Sequence, residues 1–124
     1  MADITIQRVY DYRGDPAPTG AVFLVDRLWP RGVSKADMED VTWAPDAAPS
    51  PNLRIWFGHS ADRFEEFTGR YRAELDSHPE HAEQIVEAAR SGSVTLLYAA
   101  KDPQVNHAAV LKAWCEEEIG EKGT

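Results

Sequence analysis

Two polar segments of this chain carry residue types suited to chemistry. The first, VDRLWPRG at residues 25–32, sets Asp26, Arg27 and Arg31 directly behind an apolar run. The second, AAKDPQVNH at 99–107, sets Lys101, Asp102, Asn106 and His107 behind another. Arginine grips a phosphate or carboxylate through two parallel hydrogen bonds, and lysine adds a point charge. A carboxylate among cations is held ionised, so Asp26 or Asp102 suits a general base better than a general acid. Asp26, Lys101 and Asp102 are therefore the candidate catalytic residues. Arg27, Arg31, Arg54, His59 and Asn106 are the candidate ligand-binding residues, and the expected partner is a small anionic ligand.

Each candidate also has a plainer role. Asp26 could neutralise Arg27 or Arg31, or accept N–H bonds in a turn. Asp102 before Pro103 is a standard helix opening. Lys101 is electrostatically unfavourable at a helix N-terminus, which leans towards function. His59 follows Gly58 at a helix end, where an imidazolium suits the dipole. Trp29, Trp43 and Trp56 read as packing residues, and so does Tyr98 within its apolar strand.

Stronger signatures are missing. His78, His81 and His107 show neither HxxxH nor HExxH spacing, so no recognised zinc site, other metal or cofactor is expected. No nucleophile elbow, Walker loop, GxGxxG or Cys-x-x-Cys occurs. The single cysteine, Cys115, excludes an internal disulfide, fits a reducing cytoplasm and reads as a small buried hydrophobe. A net charge of −8 argues against broad nucleic-acid binding. Glu116, Glu117, Glu118 and Glu121 read as a solvated helix end. MADITIQRVY has no secretory pattern, and runs such as VFLV and TLLYAA are too short to span a bilayer, so no membrane partner is expected. Nothing indicates an oligomeric state.

The elements that must position these residues follow from periodicity. ITIQRV (4–9) reads as a strand, DYRGDPAPTG as a loop, and AVFLVD (21–26) as a strand buried on both faces. Ser34 caps a short helix with Asp37 three residues on. TWAPDAAPSP is irregular, and Ser50-Pro51 opens a helix carrying Leu53, Trp56 and Phe57 that Gly58 stops. Ser60 caps a helix bearing Phe64, Phe67, Tyr71 and Leu75. Pro79 opens another, with Ile85, Val86 and Ala89, closed by Gly92. SVTLLYAA (93–100) is a second buried strand, and Asp102-Pro103 begins a last helix with Val105, Ala108, Leu111 and Cys115.

The 124 residues suit one core, and 43% apolar with 27% charged composition places the chain among globular proteins. The expectation is a single α/β domain over 1–124, with a small, mostly parallel sheet flanked by helices. The helices between 21–26 and 94–99 are long enough for a parallel crossover. Both polar segments then leave the sheet at its carboxyl edge, where open parallel sheets bind ligands, beside the positive end of the last helix.

RVYD (8–11), LVDRLWPRGVSK (24–35), APS (48–50), LRIWFGH (53–59), RYRAEL (70–75) and TLLYAAKDPQVNHAAVL (95–111) together resemble the YeaO-like branch of the domain-of-unknown-function 488 family. The likeness covers nearly the whole chain in the right order. It implies a small α/β protein and no particular activity. A wider branch of that family carries a cysteine at the strand end and a Cys-His-Arg run opening the helix. Here those places hold Tyr98 and Asn106-His107-Ala108, so the resemblance carries no thiol or cysteine–metal chemistry onto this chain. Three readings stay open. One is an enzyme, or former enzyme, on a small phosphorylated or carboxylated substrate such as a nucleotide. Another is a non-catalytic module binding a protein or small ligand through the Trp- and Arg-rich 27–57 surface. The last is a purely structural turn braced by aspartate and arginine.

Overall fold

A computed structural model describes residues 3–12 and 20–122, with the side chains of 121 and 122 left out. Residues 13–19 of the expected first loop, and the side chain of Glu121, lie outside the described part. Four β-branched or aromatic runs form a sheet in which every pairing is parallel: β1 (Asp3–Arg8), β2 (Ala21–Leu24), β3 (Val41–Trp43) and β4 (Ser93–Tyr98), in the order β1-β4-β2-β3. The expected pairing of the two most buried strands is present, with Ala21 opposite Val94 and Leu24 opposite Leu97. β3 opens a stretch that reads as irregular. Its three residues are too few to show an alternation, and pairing with β2 is what makes them a strand.

Side chains alternate across the sheet. Phe23, Val25, Val94, Leu96 and Tyr98 face one way, into a core built with α1 (Pro51–Phe57), α2 (Phe64–Ser77), α3 (Glu83–Ser91) and α4 (His107–Lys122). Val22, Leu24 and Leu97 face the other way, against Val9 and Met38, with Trp29 and Val33 packed over them. On the helical side the rings of Phe57 and Phe67 stack with centroids 4.1 Å apart. The buried Tyr71 hydroxyl donates to the Ala47 carbonyl, and burial above all raises its pKa well beyond the usual tyrosine range.

Side-chain caps start some helices, and 3-10 turns lead into the others. Ser50 Oγ accepts the Leu53 N–H and donates to Glu74, tying α1 to α2. Ser34 Oγ accepts the Asp37 N–H, but the expected helix is one 3-10 turn, Ala36–Met38. Ser60 makes no side-chain cap; a 3-10 turn, Ala61–Arg63, leads into α2 instead. Pro79 likewise opens a 3-10 turn that runs into α3. No helix among the described residues is long and apolar enough to cross a membrane.

The chain after β2 turns towards the Met38 face, whereas the chain after β4 enters α4 on the helical face. Loops diverging from neighbouring parallel strands leave a crevice between them at the carboxyl edge.

Candidate ligand-binding cleft

That crevice is a cleft of about 500 Å³, a size that suits a small molecule. Leu28, Pro49, Phe57, Phe67 and Val105 supply apolar wall. Among the sequence candidates, Asp26, Arg27, Arg54, His59, Lys101 and Asp102 also line it, and His107 joins them.

The loop after β2 is tied down by its own polar groups. Asp26 Oδ2 accepts the Ala99 N–H at 3.0 Å, joining the ends of β2 and β4. Its Oδ1 is buried 3.1 Å from His107 Nε2, and both side chains are only 14% exposed. His107 Nε2 also lies 2.8 Å from the Val25 carbonyl oxygen. A ring nitrogen facing a carbonyl has to donate, so Nε2 carries a proton. Nearby, Arg27 donates from Nε to Pro49 O (3.1 Å) and from Nη2 to Ala48 O (3.2 Å), with Asp46 3.8 Å from Nη1. Asp26 therefore accepts a backbone N–H rather than pairing with either arginine, and Arg27 braces the segment before α1. Trp43 donates to the Asp26 carbonyl and Trp29 to Val33, with the two rings edge to face.

One expectation about this loop is corrected. Arg31 is exposed and does not line the cleft, so it does not converge there with Lys101. Trp29 packs on the Met38 face, and the turn through Gly32 (φ 80°) takes Arg31 with it. Leu28 is 62% exposed and forms part of the cleft rim.

The loop after β4 also departs from expectation. Asp102 Oδ1 accepts the N–H groups of Gln104 and Val105, and these two bonds hold its carboxyl below the usual aspartate range. This closes a turn rather than opening a helix. α4 starts only at His107, because Asn106 is the cap: its Oδ1 accepts the Ala109 N–H and its Nδ2 donates to Asp102 O. Asn106 is fully buried and does not line the cleft, so it shapes the site without touching it. His107 is the residue missed among the candidates. An asparagine followed by an apolar helical stripe was the available signal, masked by the stronger-looking Asp-Pro pair. Lys101 is exposed and has no ion pair among the described residues.

At the end of α1, Gly58 (φ 54°) and His59 (φ 59°) are both left-handed. His59 is the one non-glycine residue so held among the described residues, a conformation that costs about 1–2 kcal/mol. It presents an exposed imidazole to the cleft, with its ring 5.9 Å from that of Phe57. Cys115 lies elsewhere, fully buried on the core side of α4, where burial pushes its thiol up to about 12. Among the described residues, no serine, threonine or cysteine lines the cleft.

With this geometry in place, the chain can be compared with known proteins. A family model described as "Inactive DUF488-N3 subclade" matches residues 3–123. The chain belongs to the DUF488-N3i family. This DUF488-N3i chain is 39% identical to the uncharacterized protein YeaO of Escherichia coli over 114 residues, covering 90% of this chain and 96% of YeaO. It is 40% identical over 109 residues to the uncharacterized proteins Mb3100c of Mycobacterium bovis and Rv3073c of Mycobacterium tuberculosis, covering 87% of this chain and 89% of each. No solved structure matches the chain. The YeaO-like resemblance of its motifs is thus a true family relation.

Proposed function

We propose that the cleft binds a small ligand with an apolar, planar body and one phosphate or carboxylate group, and holds it without covalent turnover. The observation that carries this reading is the juxtaposition, at the β2–β4 crevice, of apolar walls with Arg54, His59 and Lys101. Leu28, Val105 and the exposed His59 ring offer surface for the body, while Arg54 and Lys101 have no ion pair among the described residues holding them back from an anion. Burial of the body supplies affinity, and charged donors fix its orientation.

Several observations favour binding over catalysis. Asp26 and His107 resemble the supporting pair of a nucleophilic triad, yet among the described residues the lining has no hydroxyl or thiol for such a pair to activate. Asp102 is engaged with two backbone N–H groups. The family description also carries the word "inactive". In this reading Asp26 and His107 form a clasp between the strand ends and α4. Residues 1–124 act as one domain, and the lone buried thiol suits the cytoplasm.

Phenyl phosphate and inorganic phosphate test this by amide chemical-shift titration. Phenyl phosphate should saturate with a Kd of roughly 10–200 µM and shift amides in 54–59 and 99–107, and inorganic phosphate should bind more weakly. Lys101→Ala and Arg54→Ala should each weaken binding about 5–10-fold, the size of one partly exposed charged contact. Absence of any cleft shift at millimolar ligand sinks the reading. A protein partner is the second reading, favoured by Leu28 at 62% and Ile55 at 70% exposure on the 27–57 surface.

A further inference from the structure

The turn between α2 and α3 gathers the sequence His78-Pro79-Glu80-His81 into one cluster. His78 follows the last residue of α2, and the His81 N–H donates to the His78 carbonyl at 3.0 Å, closing the turn. Pro79 fixes one φ inside it. The two imidazoles stack, with centroids 5.1 Å apart and planes 15° from parallel. Glu80 Oε2 lies 3.3 Å from His78 Nδ1 and 3.8 Å from His81 Nε2. One ligand atom from each residue lies within 4.8 Å of the other two.

These separations can be set against a coordination shell. An ion bonded at about 2.0–2.2 Å in tetrahedral geometry holds its ligand atoms roughly 3.3–3.6 Å apart. The Glu80–His78 separation already matches, and the Glu80–His81 separation is a few tenths of an ångström too long. The histidine–histidine separation closes through rotation of exposed rings, since the side chains of His78 and His81 are 60% and 41% exposed. Surrounding charge favours a cation. Glu80, Glu83 and Glu87 line the adjoining groove, where Arg90, the one cation lining it among the described residues, is paired with Glu87 at 3.1 Å.

We propose that His78, Glu80 and His81 form an open surface site for a divalent transition-metal ion of the zinc class, completed by water. Two imidazoles select such an ion over magnesium or calcium, which take oxygen ligands. Two histidines and a glutamate leave a coordination position free. The expectation of no metal site rested on helical histidine spacing. The HxxxH and HExxH patterns do not include the three-residue spacing of His78 and His81, which a turn brings together here. None of the three residues lines the ligand cleft, so this site and that one stand or fall separately.

The test is titration of the full chain with zinc chloride in a non-chelating buffer, followed by calorimetry and by histidine ring resonances. One ion per chain should bind with a Kd of roughly 1–50 µM, and the rings of His78 and His81 should shift while those of His59 and His107 do not. His81→Ala should weaken binding at least about tenfold and Glu80→Gln at least about threefold. Magnesium chloride should leave the rings unmoved. The ring shifts in the unaltered protein locate the ion even if a variant folds poorly. No saturable zinc binding below about 1 mM, shifts centred on other histidines, or a His81→Ala affinity within about twofold of the original would overturn the proposal.

Discussion

The loops that follow β2 and β4 leave adjacent strand ends and carry similar residue types, but they use them differently. After β2, the carboxylate of Asp26 and two nitrogens of Arg27 bond backbone groups of other segments. After β4, Lys101 stands exposed without an ion pair among the described residues, and Asp102 bonds only its own turn. Both segments read equally well as sites in the amino-acid sequence. Their hydrogen-bond partners separate them: groups engaged with distant backbone hold the cleft in shape, and unengaged cations remain for a ligand.

The sharpest way to break this comparison is Asp26→Ala. It strips the acceptor from Ala99 N–H and the carboxylate from His107, so a loss of about 2–4 kcal/mol in denaturant unfolding is expected. A loss under about 0.5 kcal/mol would mean that the clasp is not structural. Next comes Arg27→Met, which keeps the apolar stem and removes both bonds to carbonyls, at an expected cost of about 1–3 kcal/mol. Asp46 adds little to that figure, being 75% exposed.

The remaining two variants sharpen the contrast. His59→Gly relieves a left-handed non-glycine residue and should raise stability by roughly 0.5–1 kcal/mol. The same change should weaken phenyl phosphate binding. A rise in stability with unchanged binding would show that the strain serves no ligand. Smallest of all, Lys101→Ala should leave stability within about 0.5 kcal/mol, because the amine touches no described partner. Its effect should appear only in the ligand titration.

Local signals were readable where one residue and its near neighbours suffice. Ser50-Pro51 announced α1, Gly58 its end, and the Phe67, Tyr71, Leu75 stripe the buried face of α2. The Asp102-Pro103 pair misplaced the start of α4: Asp102 closes a turn and Asn106 caps the helix. β3 and the His78–His81 cluster escaped because each depends on a partner or a turn rather than on a period.

By itself, the sequence determined the α/β class, the parallel pairing of the two most apolar strands, and the placement of two polar segments at one sheet edge. Apolar runs bury themselves, and crossover length sets strand direction, so chain order is enough for these conclusions. Only the tertiary structure decided that Arg31 leaves with Trp29, that Arg27 and Asp26 face backbone, and that His107 meets Asp26. Those outcomes depend on which backbone groups lie within about 3 Å of a side chain. Residues 73 positions apart become neighbours, as Asp26 and Ala99 do, only when the sheet brings them together.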